Sequence, residues 1–553
     1  MKILIYQIFT RLLGNKNLTC KVNGTYADNG SGKMEDINAT VLRRIRSLGT
    51  THVWFTGVIR HASVTDYTYH GIPRQHAAVV KGNAGSPYAI TDYYDIDPDL
   101  AVDVDNRMTE FEALVARTHK AGMKVIIDFV PNHVARQYKS VCKPEGVRDL
   151  GEDDDTNMHF STSNNFYYCW GMPFEPSIDT VHGEDIPYME IPAKATGNDR
   201  FNNRPGQYDW YETVKLNYGI DYCDAGGRSE HFSPIPQTWD KMTDILLFWA
   251  SKGVDGFRCD MAEMVPTAFW WWAIDKVKFQ YPGKIFIAEV YNPSLYRSYV
   301  GAGFDYLYDK VGMYDCIRDV MCGKRHAADI TACWQSTDDI RRNMLYFLEN
   351  HDEQRVASAF FAGDARKGIP ALIVSALMQS NPFMLYFGQE FGEQGMDQEG
   401  FSGIDGRTTI FDYWTVGSVC RGYFNRRKMS KDEKEIEKMY AAILNIASKE
   451  RAIGEGQFYD LMYVNPQLPH EVYAFLRKKD EEMLLIVANF GHSDAECSVN
   501  IPRHAFDYLW IGEGAHEAVD LLSGDKKVFP LKADKSVDTM IPACGGRVWK
   551  IKM

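Results

Sequence analysis

The chain has 553 residues, with 61 basic against 74 acidic side chains for a net charge of −13. That length exceeds a single core and predicts two or three domains. The acidic balance, with no basic stretch studded with aromatics, excludes a nucleic-acid backbone as partner, and no segment approaches the length of a membrane span.

The chain opens on a strand at 3–9, broken by Gln7 and without a small-residue cleavage site, which does not read as a signal peptide. The eleven cysteines are odd in number and scattered, with no C-x-x-C pair or zinc spacing. They are expected as reduced thiols in a cytoplasmic protein. Further strand-like runs lie at 51–58, 124–130, 253–260, 284–290, 304–308, 344–348 and 382–388. Between them fall amphipathic stretches such as 108–121, with Phe111, Leu114, Val115 and His119 on one face, and 239–252. Eight strands alternating with helices predict an α/β fold, a (β/α)8 TIM barrel over 1–133 and 237–450. A long insertion after the third strand, 134–236, is rich in Gly, Asn, Asp and Pro and is expected to wall the cleft. From 451 to 553 the pattern is β only. Hairpin strands at 471–477 and 483–490 and further strands at 495–501 and 546–553 predict an antiparallel β-sandwich.

Four segments place ionisable groups at the C-terminal ends of apolar strands, where a barrel of this kind carries its active site: 125–133, 256–260, 286–289 and 347–352. Alternation on the fourth strand turns Phe257 and Cys259 toward the helices and Arg258 and Asp260 inward. An unpaired charge there would be costly, so Arg258 is expected to pair with Asp260 and lower its pKa, as a nucleophile requires. Glu289 follows Ile285 and Ile287 on the inward face with no basic neighbour in sequence, so desolvation is expected to keep it protonated as an acid. Neighbouring strands lie about 4.8 Å apart, close to the roughly 5–5.5 Å between the carboxyls of retaining glycosidases. Asp352, His351 and His133 are expected to grip substrate hydroxyls, and Asp352 to oppose positive charge in the transition state. Asp128 either touches sugar or organises Arg258 and its loop. Trp270, Trp271 and Trp272 are expected to pack the barrel. Singly, a strand-end Asp reads as a helix cap and a lone His as structural; their conjunction reads as an enzyme.

These four segments resemble the signature regions of the α-amylase family, glycoside hydrolase family 13. Residues 85–98 and 385–390 are similar to its segments near the second and eighth strands. The resemblance spans nearly the whole chain and implies that the insertion is domain B and the C-terminal module domain C. It implies Asp260 as nucleophile, Glu289 as general acid/base and Asp352 as transition-state stabiliser. Arg258, His133 and His351 would surround the reacting glucose, with Tyr88 stacked on its ring. The implied activity is retaining, endo-acting hydrolysis of α-1,4-glucosidic bonds in maltooligosaccharides, glycogen or starch fragments. An α-glucosidase or 4-α-glucanotransferase of the same family is the alternative. A catalytically inactive carbohydrate- or partner-binding relative is the alternative from another class, and the intact Asp260, Glu289 and Asp352 weigh against it.

No cofactor is expected to be required. Many family members bind calcium through an Asn matching Asn132, an Asp in a Leu-Pro-Asp-Leu-Asn-like segment and a His four residues after the nucleophile. Here the second segment is Val214-Lys215-Leu216-Asn217, position 264 is Met, and position 263 is Glu where Lys is common. An ammonium cannot ligate calcium, so that site is expected to be absent or rebuilt, with Asn132 its one remaining candidate ligand. The Asn- and Asp-containing loop 15–38 is a weaker alternative.

Overall fold

The computed structural model describes residues 2–395 and 400–553. Eight parallel strands close into a barrel: β1 (Leu4–Phe9), β2 (His52–Thr56), β3 (Lys124–Phe129), β4 (Gly256–Cys259), β5 (Ile285–Ala288), β6 (Tyr306–Tyr308), β7 (Met344–Phe347) and β8 (Phe383–Tyr386). Each strand pairs with its neighbours in chain order, and β8 returns to pair with β1. Alternation sorts the side chains as expected. Ile5, Trp54, Ile126, Ile287, Leu345 and Met384 fill the barrel interior. Phe257 and Cys259 join the separate cluster between strands and helices.

Helices α1 (Arg107–Lys120) and α2 (Gln237–Ser251) lie within a residue or two of the boundaries read from hydrophobic period, and α3 (Thr267–Gln280) follows β4. Two side-chain expectations need correction. His119 is not on the apolar face but half-exposed, paired with Asp255 at 2.7 Å. Of the three tryptophans on α3, Trp270 is buried and packs the barrel, whereas Trp271 is 63% exposed. Three consecutive helical positions span most of a turn and cannot share one face.

The 134–236 segment is mostly irregular backbone pinned by two-residue and three-residue strand pairs. One of them, His133–Ala135 against Thr213–Lys215, attaches it directly beyond β3. Helix α4 (Gly368–Leu377) is buried along its whole length, and α5 (Lys431–Lys449) is the last long helix before the C-terminal module. That module contains β9 (Gln457–Asp460), β10 (Val472–Lys479), β11 (Glu482–Asn489), β12 (Ala495–Ile501), β13 (Gly514–Asp520), β14 (Lys526–Leu531), β15 (Lys535–Ile541) and β16 (Gly545–Lys552). A six-stranded antiparallel sheet faces the β12–β15 pair across a core including Leu485, Val499, Val537 and Ile551. Buried Arg477 of β10 donates to the carbonyls of Met378, Ala452, Ile453 and Gly456, tying the module to the barrel floor. Those orphan helix-end and turn carbonyls satisfy a guanidinium that burial brings down to about 9.

All eleven cysteines are free. No helix among the described residues is long and apolar enough to cross a membrane.

Candidate active site

The β4–β5 register places Cys259 beside Ala288, so Asp260 and Glu289 leave adjacent strands at the same level of the barrel mouth. The Glu289 N–H donates to the Cys259 carbonyl at 3.1 Å, extending the ladder one residue further. Arg258, fully buried, lies beneath them. Its Nη1 donates to Asp260 Oδ1 at 2.7 Å, and its Nη2 sits 2.8 Å from Glu289 Oε2, an ion pair outside hydrogen-bond angles. Asp128 lies 3.7 Å from the same Nη1. The rings of Trp54, Tyr88 and Tyr308 surround the guanidinium with centroids 5.4–5.5 Å away. One cation thus serves three carboxylates in an aromatic cage.

This arrangement corrects two expectations. Glu289 does have a basic partner: Arg258 reaches it across the strand register, which spacing along one strand does not show. Glu289 also accepts from the Met261 N–H at 2.8 Å and the Tyr291 hydroxyl at 2.7 Å. Met261 adopts φ +42°, a left-handed conformation uncommon for a side chain of its kind, and this turns its N–H to Glu289. Asp260 is not lowered. Burial pushes its carboxyl well above the usual range and the Glu289 charge adds to this, outweighing Arg258, whose charge is divided.

Across the mouth, His351 and Asp352 follow β7. Burial works against the Asp352 charge, but His351, 2.9 Å away, brings its carboxyl below the usual value. His351 Nδ1 accepts from Gln7 Nε2 at 2.8 Å, while Nε2 faces the Tyr88 hydroxyl at 2.5 Å and Asp352. His133 is driven down to about 3 by burial, then by the charges of Lys215 and Lys81, so it is neutral at pH 7.

A cavity of about 350 Å³ opens above this constellation, and Asp260, Glu289, Asp352, His133 and Tyr88 line it. Arg258, Asp128 and His351 lie just beneath its surface, buried to 5% exposure or less. Asp128 accepts from Trp54 Nε1 at 3.0 Å and lies beside Arg258. Sequence reading missed Lys81, Trp210, Glu212, Met261, Tyr291, Ile410 and Phe411 on the cavity wall, and Gln7 beneath His351. Gln7 left one signal, an amide interrupting an apolar strand. Glu263 accepts from the N–H groups of Tyr291 and Asn292, fixing the loop that carries Tyr291.

Two carboxyls on adjacent strands, sharing a buried cation under an open cavity and faced by a third, suit acid-assisted displacement at an anomeric carbon. Residues 23–284 match the model of the α-amylase catalytic domain. Over 524 residues the chain is 22% identical to alpha-amylase 3 of Dictyoglomus thermophilum, covering 90% of this chain and 89% of that one. The catalytic part of the chain belongs to the α-amylase family. It is a glycoside hydrolase. Maltase A1 of Drosophila melanogaster is 23% identical over 242 residues, 43% of this chain and 32% of that one. The fold matches the α-amylase of Geobacillus thermoleovorans, solved in complex with acarbose, at a TM-score of 0.65 and 17% identity, over 100% of this chain and 98% of that one.

In this α-amylase family member the residues around Asn132 do not fit calcium. The Lys215 ammonium inserts among Asn132 Oδ1, Asp199 Oδ1 at 2.7 Å and the Met264 carbonyl at 3.3 Å. Three oxygens that could face a cation face one already supplied by the chain. In the 15–38 loop, Asn15 and Asn17 donate to backbone carbonyls and Asp28 and Asp36 pair with lysines.

Proposed function

We propose that the enzyme hydrolyses α-1,4-glucosidic bonds of maltooligosaccharides and related α-glucan chains with retention, through a covalent glucosyl ester on Asp260. The observation that carries this reading is the shared grip of Arg258 on Asp260 and Glu289, which leave adjacent strands at one level of the mouth; a short separation between two carboxyls is what retaining chemistry needs. Glu289 gives its proton to the glycosidic oxygen as Asp260 attacks C1 and the C1–O bond breaks. Water, deprotonated by Glu289, then attacks C1 from the face the leaving group vacated and frees Asp260. Asp352 opposes the positive charge that builds on the sugar ring between the two steps. Neutral His133 is suited to donate to, and accept from, sugar hydroxyls. The acarbose-bound relative, solved with an oligosaccharide analogue, supports an α-glucan as substrate.

The same proposal holds that no metal is required and that Lys215 replaces calcium at the Asn132 position. Endo action, the expectation from sequence, needs a cleft open at both ends. The wall described below favours instead the α-glucosidase-like alternative. Digestion of maltoheptaose with anomeric analysis of the first products tests the reaction. α-Configured products support the proposal; β-configured products, or none, contradict it.

A further inference from the structure

The barrel has a reducing and a non-reducing side, fixed by where the proton donor stands. Glu289 follows β5 and must face the leaving group, so the departing chain lies on the β5 side. β1 is diametrically opposite in the eight-strand ring, flanked by β2 and β8. The loops after β2 and β8 therefore border the non-reducing end of the bound chain. There they are joined to each other: the Ala84 N–H donates to the Phe411 carbonyl at 3.0 Å, and Arg11 holds the carbonyls of Ala84 and Ile410 at 2.8 and 2.7 Å. The β2 loop also reaches the inserted segment, where Lys81 Nζ meets Glu212 Oε2 at 3.1 Å. Both side chains are nearly buried, at 9% and 5% exposure, although both line the catalytic cavity.

Behind this wall lies a second hollow of about 670 Å³, lined by Val80, Gly82, Asn83, Tyr211, Gln207 and Phe401 among others. Neighbours in sequence thus face opposite spaces. Lys81 faces the catalytic cavity while Val80 and Gly82 face the hollow, and Glu212 faces the cavity while Tyr211 faces the hollow.

We propose that the Lys81–Glu212 pair is a partition that ends the glycone side of the cleft, so that the enzyme cuts α-glucan chains from their non-reducing terminus. This rests on the α-glucan reading above. The ammonium and carboxylate present one donor group and one acceptor group to the terminal sugar's free hydroxyls, which an internal residue, already bonded onward, does not offer. Separation of the pair joins the 350 Å³ cavity to the 670 Å³ hollow and admits a chain that continues past the reacting sugar.

The test uses the full-length enzyme and a maltoheptaoside carrying a chromophore at its reducing end. One form has a free non-reducing terminus, and in the other an ethylidene bridge blocks the terminal 4- and 6-hydroxyls. Chromophore-bearing products are sized by chromatography. Wild type should prefer the free form by about 100-fold or more and shorten it one glucose at a time. Lys81→Ala and Glu212→Gln should each cut that preference by about tenfold and release mixed internal products. The doubly substituted Lys81→Glu/Glu212→Lys enzyme, with the pair reversed, should regain it, which separates partitioning from misfolding. Equal cleavage of both forms by wild type overturns the partition but leaves α-glucan hydrolysis standing. Cleavage of neither form overturns both.

Discussion

Asp260 and Glu289 are bound to opposite nitrogens of the same Arg258 guanidinium, at 2.7 and 2.8 Å. A fork with two arms fits this geometry and an ammonium does not. Arg258→Lys should therefore retain the fold but lose about 100-fold or more in kcat, because only one carboxylate keeps its partner. Steady-state kinetics beside circular dichroism would check this. Undiminished kcat would show that the shared grip is unimportant.

The raised Asp260 carboxyl has a pH consequence of definite sign. A nucleophilic Asp260 must be ionised, and burial with nearby carboxylate charge favours its protonated form. Activity should therefore fall on the acid side, with the limb of kcat/KM lying above the ordinary aspartate value of 3.8. Asp352→Asn removes a neighbouring negative charge that also raises the Asp260 carboxyl, so the residual activity of that variant should have its acid limb moved to lower pH. A limb unmoved by the substitution would argue against that repulsion.

Much of this site can be read directly from the amino-acid order, and the reason is geometric. Period-two alternation is enough to turn Arg258 and Asp260 inward, and an apolar strand ending in Glu289 marks the barrel mouth. What eluded sequence reading depends on register or on loops. The Arg258–Glu289 contact joins neighbouring strands whose offset no local pattern encodes, and this is why Glu289 was expected to lack a basic partner. Lys81 and Glu212 sit in irregular segments, where no periodicity announces which way a side chain faces. In the C-terminal module, β14 and β15 turn Val528 and Met540 outward and β13 buries Asp520, which blurs the alternation of apolar and polar positions in these strands.

Lys215 supplies the charge beside Asn132 and Asp199, so chelation should leave the wild-type melting temperature unchanged. Lys215→Ala, which leaves buried acceptors without their donor, should cost about 1–3 kcal/mol. Lys215→Asp should make the melting temperature respond to added calcium. Thermal melts with chelator and with calcium would decide this, and a wild-type melt lowered by chelator would refute the role given to Lys215.

Glu390 is buried beneath the barrel wall, accepting from Tyr6 and Tyr423 at 2.5 and 2.8 Å, with its carboxyl pushed up to about 7 by burial. A folded-state value above the unfolded one penalises the native state as pH rises from about 4.5 through 7. Replacement by Gln removes that penalty, so Glu390→Gln should gain stability relative to wild type on going from pH 5 to pH 8. The limit is on the order of 3 kcal/mol. Denaturant unfolding at the two pH values reads the difference directly, and an equal effect at both would exclude titration of Glu390 in this range.

Gln7 Nε2 holds His351 Nδ1, leaving Nε2 toward Asp352 and the Tyr88 hydroxyl. Gln7→Leu should lower kcat/KM by about tenfold while the protein stays folded. Kinetics matching wild type would place Gln7 outside the machinery.

The proposed covalent role of Asp260 is open to direct chemical trapping. A slow 5-fluoro-α-glucosyl fluoride, incubated with the enzyme and followed by digestion and mass spectrometry, should leave one fluoroglucosyl group on the peptide containing Asp260. Label on any other carboxylate, or turnover that releases sugar of inverted configuration, would contradict it.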